Sequence, residues 1–237
     1  MNARENEGMA QLDYPRGFRG FPRGFAEFLF SLQFNNTVDN LPENKPVYKR
    51  FIAEPLALLY EALAPAAVAV SETVTINRSK CVSTMFNDMR FQSASPLKGY
   101  MYIRFREPYG DKDALGLYFD MGCEHYGYGI RIYNQTGAGM KRIRDFAAAN
   151  GMAFTRELNN LDYLNMKVLG DQFARDRYPG VNDEHLKNLL NKKGFYIERA
   201  RPVNEAVYDG GVSEEITEAY LNLKNLYLFF RKALYGI

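Results

Sequence analysis

The apolar positions change period twice along the chain. Phe25, Phe28, Leu29 and Leu32 fall on one face of a helix, which predicts a helix over 22–34 with Pro22 in its first turn and Asn35-Asn36 as its stop. A second helix is expected after Asn44 as cap, with Pro46 at its start and Val47, Phe51, Leu58, Leu59 and Leu63 on its buried side. Pro55 should kink it, because the ring removes a backbone donor. The period then becomes two. Met101, Ile103 and Phe105 alternate with Tyr102, Arg104 and Arg106; Leu115, Leu117, Phe119 and Met121 alternate with Gly116, Tyr118 and Asp120; Tyr126, Tyr128, Ile130 and Ile132 alternate with Gly127, Gly129 and Arg131. Three consecutive segments of this kind predict half-buried antiparallel strands. Cys81 to Phe86 reads as a further strand.

Helical spacing returns at Met140, Ile143, Phe146 and Ala147 and ends at Asn150-Gly151. Val168 to Phe173 reads as a hairpin or turn. Asn182 is expected to cap a helix carrying Leu186, Leu189 and Leu190, and Phe195 to Glu198 to form a short strand. A last helix from Ser213 carries a stripe of Ile216, Tyr220, Leu223, Tyr227, Phe230 and Leu234, suited to packing on the sheet. Helices, then strands, then helices with short strand insertions predict an α+β fold: a mostly antiparallel sheet with helices packed on one face. We read residues 1–20 as a flexible N-terminal arm and 21–237 as a single domain. The arm leads into three Arg-Gly-Phe units, Arg16-Gly17-Phe18, Arg19-Gly20-Phe21 and Arg23-Gly24-Phe25. Such units can stack on single-stranded bases, but three copies are few, and the phenylalanines are expected in the core with the arginines in solvent.

Composition narrows the class without naming an activity. At 237 residues, 46% hydrophobic and 24% charged, the chain has ordinary globular values, which exclude a disordered, collagen-like or disulfide-stapled protein. Lys plus Arg is 30 against 28 Asp plus Glu, a net charge of +2, so there is no strong pull toward nucleic acid or anionic membrane. Cys81 and Cys123 are the only cysteines, which suggests a reducing compartment. Met1 to Gln11 is polar and lacks the apolar core of a secretory signal. Pro55 to Val70 is short and interrupted for a bilayer span. These features point to the cytoplasm.

No phosphate loop or Gly-x-Ser-x-Gly elbow is present. Gly137-Ala138-Gly139-Met140 precedes a helix, where anions can bind, but a turn and cap is the plainer reading. Cys123-Glu124-His125 supplies one set of metal-type ligands where a zinc site needs two, so no metal and no cofactor is expected. His185 should be a solvated helix residue. The segment Phe86-Asn87-Asp88-Met89-Arg90-Phe91 stands apart: if it is extended, Asp88 and Arg90 share a face. With Lys98 after the turn, Arg104 on the first strand and Arg131 on the third, four cations and one carboxylate can converge on one sheet face. Arginine forks there would suit a phosphate or carboxylate.

The same segment resembles a known family. Lys80 to Phe91, followed by Pro96-Leu97-Lys98, is similar to the central signature of the conserved-hypothetical-protein family known as domain of unknown function 2461, with Asp88, Arg90, Phe91, Pro96 and Lys98 matching. Phe25 to Leu32, Asn35-Asn36, Tyr48 and Glu54-Pro55-Leu56 resemble its opening helices. Arg144, Arg177 with Pro179-Gly180, and Leu189 to Phe195 resemble its later blocks, so the likeness spans roughly Phe21 to Leu234. The chain departs from the signature at Thr84 (arginine in the family), at Phe86-Asn87 (Tyr-Arg), at Gln92 to Ser95 (a lysine-rich turn) and at Leu97 (tyrosine). The resemblance implies one intracellular domain, directs attention to Asp88, Arg90 and Lys98, and implies no particular activity.

Three functions follow from this reading. The first is an intracellular domain binding a small anionic ligand through Arg90, Lys98, Arg104 and Arg131, with Asp88 orienting Arg90. The second is a hydrolase or transferase on a phosphorylated or acidic substrate, with Asp88 as general base. The third is an interaction module using the arm or the last helix on a protein partner. Membrane and nucleic-acid partners are not expected.

Overall fold

A computed structural model describes residues 17–88, 90 and 95–237. Its centre is one antiparallel sheet of β1 (Met101–Arg106), β2 (Ala114–Met121), β3 (His125–Tyr133), β4 (Lys167–Leu169) and β5 (Tyr196–Pro202), in the order β1-β2-β3-β5-β4. Alternation sends Ile103, Phe105, Leu117, Phe119, Ile130 and Ile197 to one face, where all are fully buried. Against that face pack α3 (Glu54–Val70) and α9 (Gly211–Asn222), with α10 (Lys224–Tyr235) leaning on α3. The residues of the other face, among them Tyr102, Arg104, Arg106, Asp120, Arg131 and Glu198, lie outside the core and are half-buried. The expected α+β architecture, one antiparallel sheet with helices on one side, is the architecture observed.

Some elements depart from the sequence reading for identifiable reasons. The first helix, α1, runs Phe25–Asn35 and buries Phe25, Phe28, Leu29 and Leu32 as expected. The next begins earlier than Asn44: α2 is Leu41–Tyr48, with a proline in its first turn and Asn44 buried inside it, donating to the Asn35 carbonyl. Pro55 does not bend the chain sharply. A π-helical turn over Lys49–Ala53 precedes it, in which the Glu54 N–H reaches back five residues to the Lys49 carbonyl, and the widened turn leads the proline into the start of α3. The stretch Leu41–Val70 is therefore one helical run, long and apolar enough to cross a membrane by length and composition. Leu56, Leu59, Leu63 and Ala67 within it are buried in the core.

Cys81 to Phe86 is not a strand. Asn77 caps a single helical turn, α4 (Arg78–Cys81), and only isolated bridges follow, Val82 to Ile103 and Phe86 to Leu97. After α5 (Gly137–Ala149) the chain starts a second helix at once, α6 (Gly151–Tyr163), burying Phe154, Leu158 and Leu161. Asp183, not Asn182, caps α7 (Glu184–Leu190). The segment from Val168 supplies edge strand β4, and the short strand at Phe195 is the longer β5 between β3 and β4. After α8 (Glu205–Asp209), the last stripe continues across two helices, α9 and α10, joined at buried Leu223. Of the Arg-Gly-Phe units, Phe21 and Phe25 are buried and Phe18 packs edge-on against Phe21, while Arg23 pairs with Glu205 at 2.7 Å in solvent. Arg16 and the rest of the arm up to residue 16 lie outside the described residues.

One buried acid ties the helical layer to the sheet. Glu107, just past β1, has a fully buried side chain. It accepts from Ser71 Oγ at 2.7 Å, Thr73 Oγ1 at 2.6 Å and Tyr227 Oη at 3.1 Å, and Arg231 Nε lies 3.4 Å away. Donors from the end of α3 and from α10 thus meet on one carboxylate. At the far edge of the apolar face, Glu215 of α9 accepts from Tyr128 at 2.6 Å and Arg201 at 2.9 Å. Removing one partner of a buried ion pair costs about 3–5 kcal/mol, because the other charge is left uncompensated. Glu107→Ala is expected to lower stability by about that amount, and Tyr227→Phe by about 1–2 kcal/mol, both measured by urea unfolding; a loss under 1 kcal/mol for Glu107→Ala would remove this acid from its structural role.

Candidate functional site

The uncovered face of the sheet collects the polar half of the alternation. On β1, Arg104 stacks on Tyr102 with 3.6 Å between guanidinium carbon and ring centroid, and Lys98 approaches the same ring at 5.4 Å. Three arginines surround the ring of Tyr133: Arg104 at 5.3 Å, Arg106 at 5.6 Å and Arg131 at 5.8 Å. Arg131 also lies 5.4 Å from Tyr196 of β5. Cations held on aromatic faces keep their planar donors free. Among the described residues, none of Lys98, Arg104, Arg106 and Arg131 has a carboxylate within 4.0 Å. Lys98 donates to Thr84 Oγ1 at 3.1 Å; burial first and then Arg104 lower its pKa, as expected where cations crowd together.

Glycines make this packing feasible. Gly116 and Gly127 share the face, and a Cβ at 116 would strike the Phe105 carbonyl at 2.6 Å and the Arg106 side chain at 3.1 Å. A Cβ at 127 would meet the Glu198 carboxylate at 3.0 Å and Asp120 Oδ1 at 3.3 Å. Tyr118, buried among these groups, donates to Glu198 Oε2 at 2.6 Å. Asp120 is pushed up to about 6, chiefly by burial and secondly by Glu198, against the opposing pull of Arg131 and Arg104. The hydroxyl of Tyr133 is buried and has no hydrogen-bond partner among the described residues.

A cavity of about 230 Å³ opens at the end of this face. Lys80, Arg104 and Arg106 line it, together with Asp111 and with Glu107, whose carboxylate is already taken up by three hydroxyl donors and the Arg231 ion pair. Another concavity, of about 640 Å³, is lined by α6 alone, and its single cation, Arg156, pairs with Glu157 at 3.3 Å. It brings no second element and no second cation to a ligand, so the smaller cavity carries the chemistry.

Of the predicted site residues, Lys98, Arg104 and Arg131 come together around Tyr102 and Tyr133. Asp88 and Arg90 occupy the loop closed by the Phe86–Leu97 bridge, and there the Arg90 guanidinium donates to both Asp88 oxygens at 2.9 and 2.6 Å. That same pairing holds the Asp88 carboxyl below its ordinary value, and an exposed carboxylate with both oxygens occupied is a poor general base. Met89, Phe91 and 92–94 of the signature lie outside the described residues. Asn36 holds the loop's base, accepting from the Leu97 N–H at 3.0 Å and donating to its carbonyl at 2.7 Å.

The remaining candidates resolve simply. The glycine turn before α5 is a cap: Thr136 accepts from the Gly139 N–H, and buried Asp113 accepts from the Thr136 N–H and hydroxyl at 2.6 and 2.7 Å. The helix N-terminus is thus filled by the chain's own carboxylate. His185 pairs with Asp162 at 3.0 Å. No cluster of three metal-type ligands occurs among the described residues. Arg144 donates to the carbonyls of Leu190 and Lys192, and Arg177 stacks on Phe173 at 3.6 Å, so the later blocks of the resemblance meet as one structural cluster. Sequence reading missed Asp120, Glu198, Tyr133, Arg106 and Lys80. Asp120 and Arg106 were visible as the polar half of the alternation; Glu198 was not, because the strand partner of β3 lies far along the chain.

No curated protein matches the chain. The family model for the conserved hypothetical protein family DUF2461 matches residues 24–229, and the chain belongs to that family.

Proposed function

We propose that the uncovered sheet face binds a small anionic ligand bearing a phosphate or carboxylate, with Arg104 and Arg131 as its forks and Lys98 as a point charge beside them. The observation that carries this reading is the gathering of Lys98, Arg104, Arg106 and Arg131 on two tyrosine rings without an ion-pair partner among the described residues. Like charges brought together cost free energy, and an anion placed between them offsets that cost. The adjoining cavity with Lys80 gives such a group room. The two free cysteines, Cys81 and Cys123, support a reducing, cytoplasmic setting for the ligand.

Inorganic phosphate or glucuronate should stabilise the protein. At a hundredfold excess over the dissociation constant the gain is about 2.7 kcal/mol, roughly 5–10 °C in Tm for a domain of this size. Arg104→Ala with Arg131→Ala should abolish the shift, and Lys98→Gln should reduce it. If neither anion raises the wild-type Tm, or if the double variant responds as the wild type does, the site is not an anion site. Differential scanning fluorimetry at fixed ionic strength decides this, since added salt alone would screen the cluster.

A further inference from the structure

Resting on that binding reading, we infer that the same face is a hydrolytic site for anionic glycosides: Asp120 and Glu198 act on the glycosidic bond while Arg104 and Arg131 hold the sugar's acidic group. Asp120 of β2 stands opposite Gly127, and Glu198 of β5 stands opposite the neighbouring Gly129. The space a side chain at 127 would fill is where the two carboxylates converge, at 3.3 and 3.0 Å from the missing Cβ. Both are half-buried, and neither has a basic group within 4.0 Å among the described residues. Tyr118 donates to one oxygen of Glu198 and leaves Oε1 available.

A second observation points to a ligand independently. The Tyr133 hydroxyl is buried without a hydrogen-bond partner among the described residues, on a ring that Arg104, Arg106 and Arg131 surround. A buried hydroxyl without a partner is uncommon, and an oxygen of a bound sugar would satisfy it. The reaction class is read from a pair of carboxylates of which one can give a proton while the other stays ionised. A glycosidic centre becomes oxocarbenium-like and positive, which they stabilise.

The groups facing Asp120 are Glu198, which favours its proton, and Arg131 and Arg104, which oppose it; burial is the largest influence and holds the acid near neutral range, at about 6. Protonated Asp120 gives its proton to the glycosidic oxygen as the bond from that oxygen to the anomeric carbon breaks, and Glu198 Oε1 forms a bond to the same carbon. Water then attacks the anomeric carbon and loses a proton to Asp120. The bond to Glu198 breaks, and both carboxyl groups return to their starting states.

The test is release of 4-nitrophenol from the α- and β-4-nitrophenyl glucuronides, with the matched glucosides and 4-nitrophenyl phosphate alongside. One glucuronide should be hydrolysed at least about tenfold faster than its neutral glucoside, the range a lost charge-assisted contact covers. Asp120→Asn and Glu198→Gln should each lower kcat by about 10²–10⁴ and leave the glucuronate-induced Tm shift intact. The wild-type rate should hold below about pH 6 and decline as pH rises through that value, because Asp120 acts as an acid and is then losing its proton. Asp120→Asn should also raise Tm at pH 7.5 by a few degrees, since the buried charge is gone, which separates lost chemistry from lost folding. Absence of glucuronide hydrolysis, hydrolysis unaffected by Asp120→Asn, or faster turnover of the phosphate ester overturns the assignment. If glucuronate still shifts Tm in that event, the binding reading stands; if it does not, both fall.

Discussion

Everything distinctive in this protein follows from a sheet with a helical layer on only one of its faces. Side chains alternate strictly along a strand, so burying Ile103, Phe105, Leu117, Phe119 and Ile130 under α3 and α9 commits Tyr102, Arg104, Tyr118, Asp120 and Arg131 to the other side. A one-residue slip in register would exchange the two sets, and the apolar burial makes that slip prohibitive. Glu107 reinforces the same registration. It fixes the end of β1 against Ser71, Thr73 and Tyr227, and so fixes where Arg104 and Arg106, three residues and one residue before it, can reach.

Among the described residues that second face has no helix to bury it, and yet it is not an ordinary solvated surface. Tyr118 is buried there without belonging to the core, covered by its polar neighbours. Glycines at 116 and 127 remove the Cβ atoms that would hold those neighbours apart. The rings of Tyr102, Tyr133 and Tyr196 separate the cations from one another and present them to solvent in one array. The arrangement costs stability: Asp120 holds its proton more tightly than an exposed aspartate, so its ionised form at neutral pH is disfavoured in the folded state, and that penalty fades as pH falls below about 6. Groups kept at a cost to stability are common where a fold serves a function.

The legible part of this structure was the part written in local periodicity. The strands at 101–106, 114–121 and 125–133 and the face of α1 follow from the spacing of their apolar residues, and Arg104 and Arg131 as members of one array follow from the same alternation. What escaped was set by tertiary context. Leu223 carries the stripe through a break that periodicity alone cannot show. Pro55 was accommodated by a widened turn and not by a bend. A capping asparagine at 77 diverted Cys81 from strand to helix. Placing Glu198 beside Asp120 required the knowledge that β5 pairs with β3, a contact between positions 69 apart (Gly129 and Glu198) that no local pattern encodes.

The contrast between two kinds of charge in this chain separates site from surface. Asp88 with Arg90 and Lys141 with Asp145 are exposed neighbours that close on each other at 2.6 Å, as opposite charges do when nothing restrains them, for little net gain in water. On the uncovered face, Asp120 and Glu198 share a surface with Arg104 and Arg131 and stay beyond 4.0 Å of any described cation. The tyrosine rings hold the guanidinium groups, Tyr118 holds Glu198, and Gly127 draws the carboxylates together. Opposite charges kept apart by their own scaffold leave donors unspent on one side and proton-accepting oxygens on the other. A substrate carrying an acid at one end and a cleavable glycosidic oxygen at the other satisfies both sets at once, which a free anion such as phosphate, meeting only the arginines, does not.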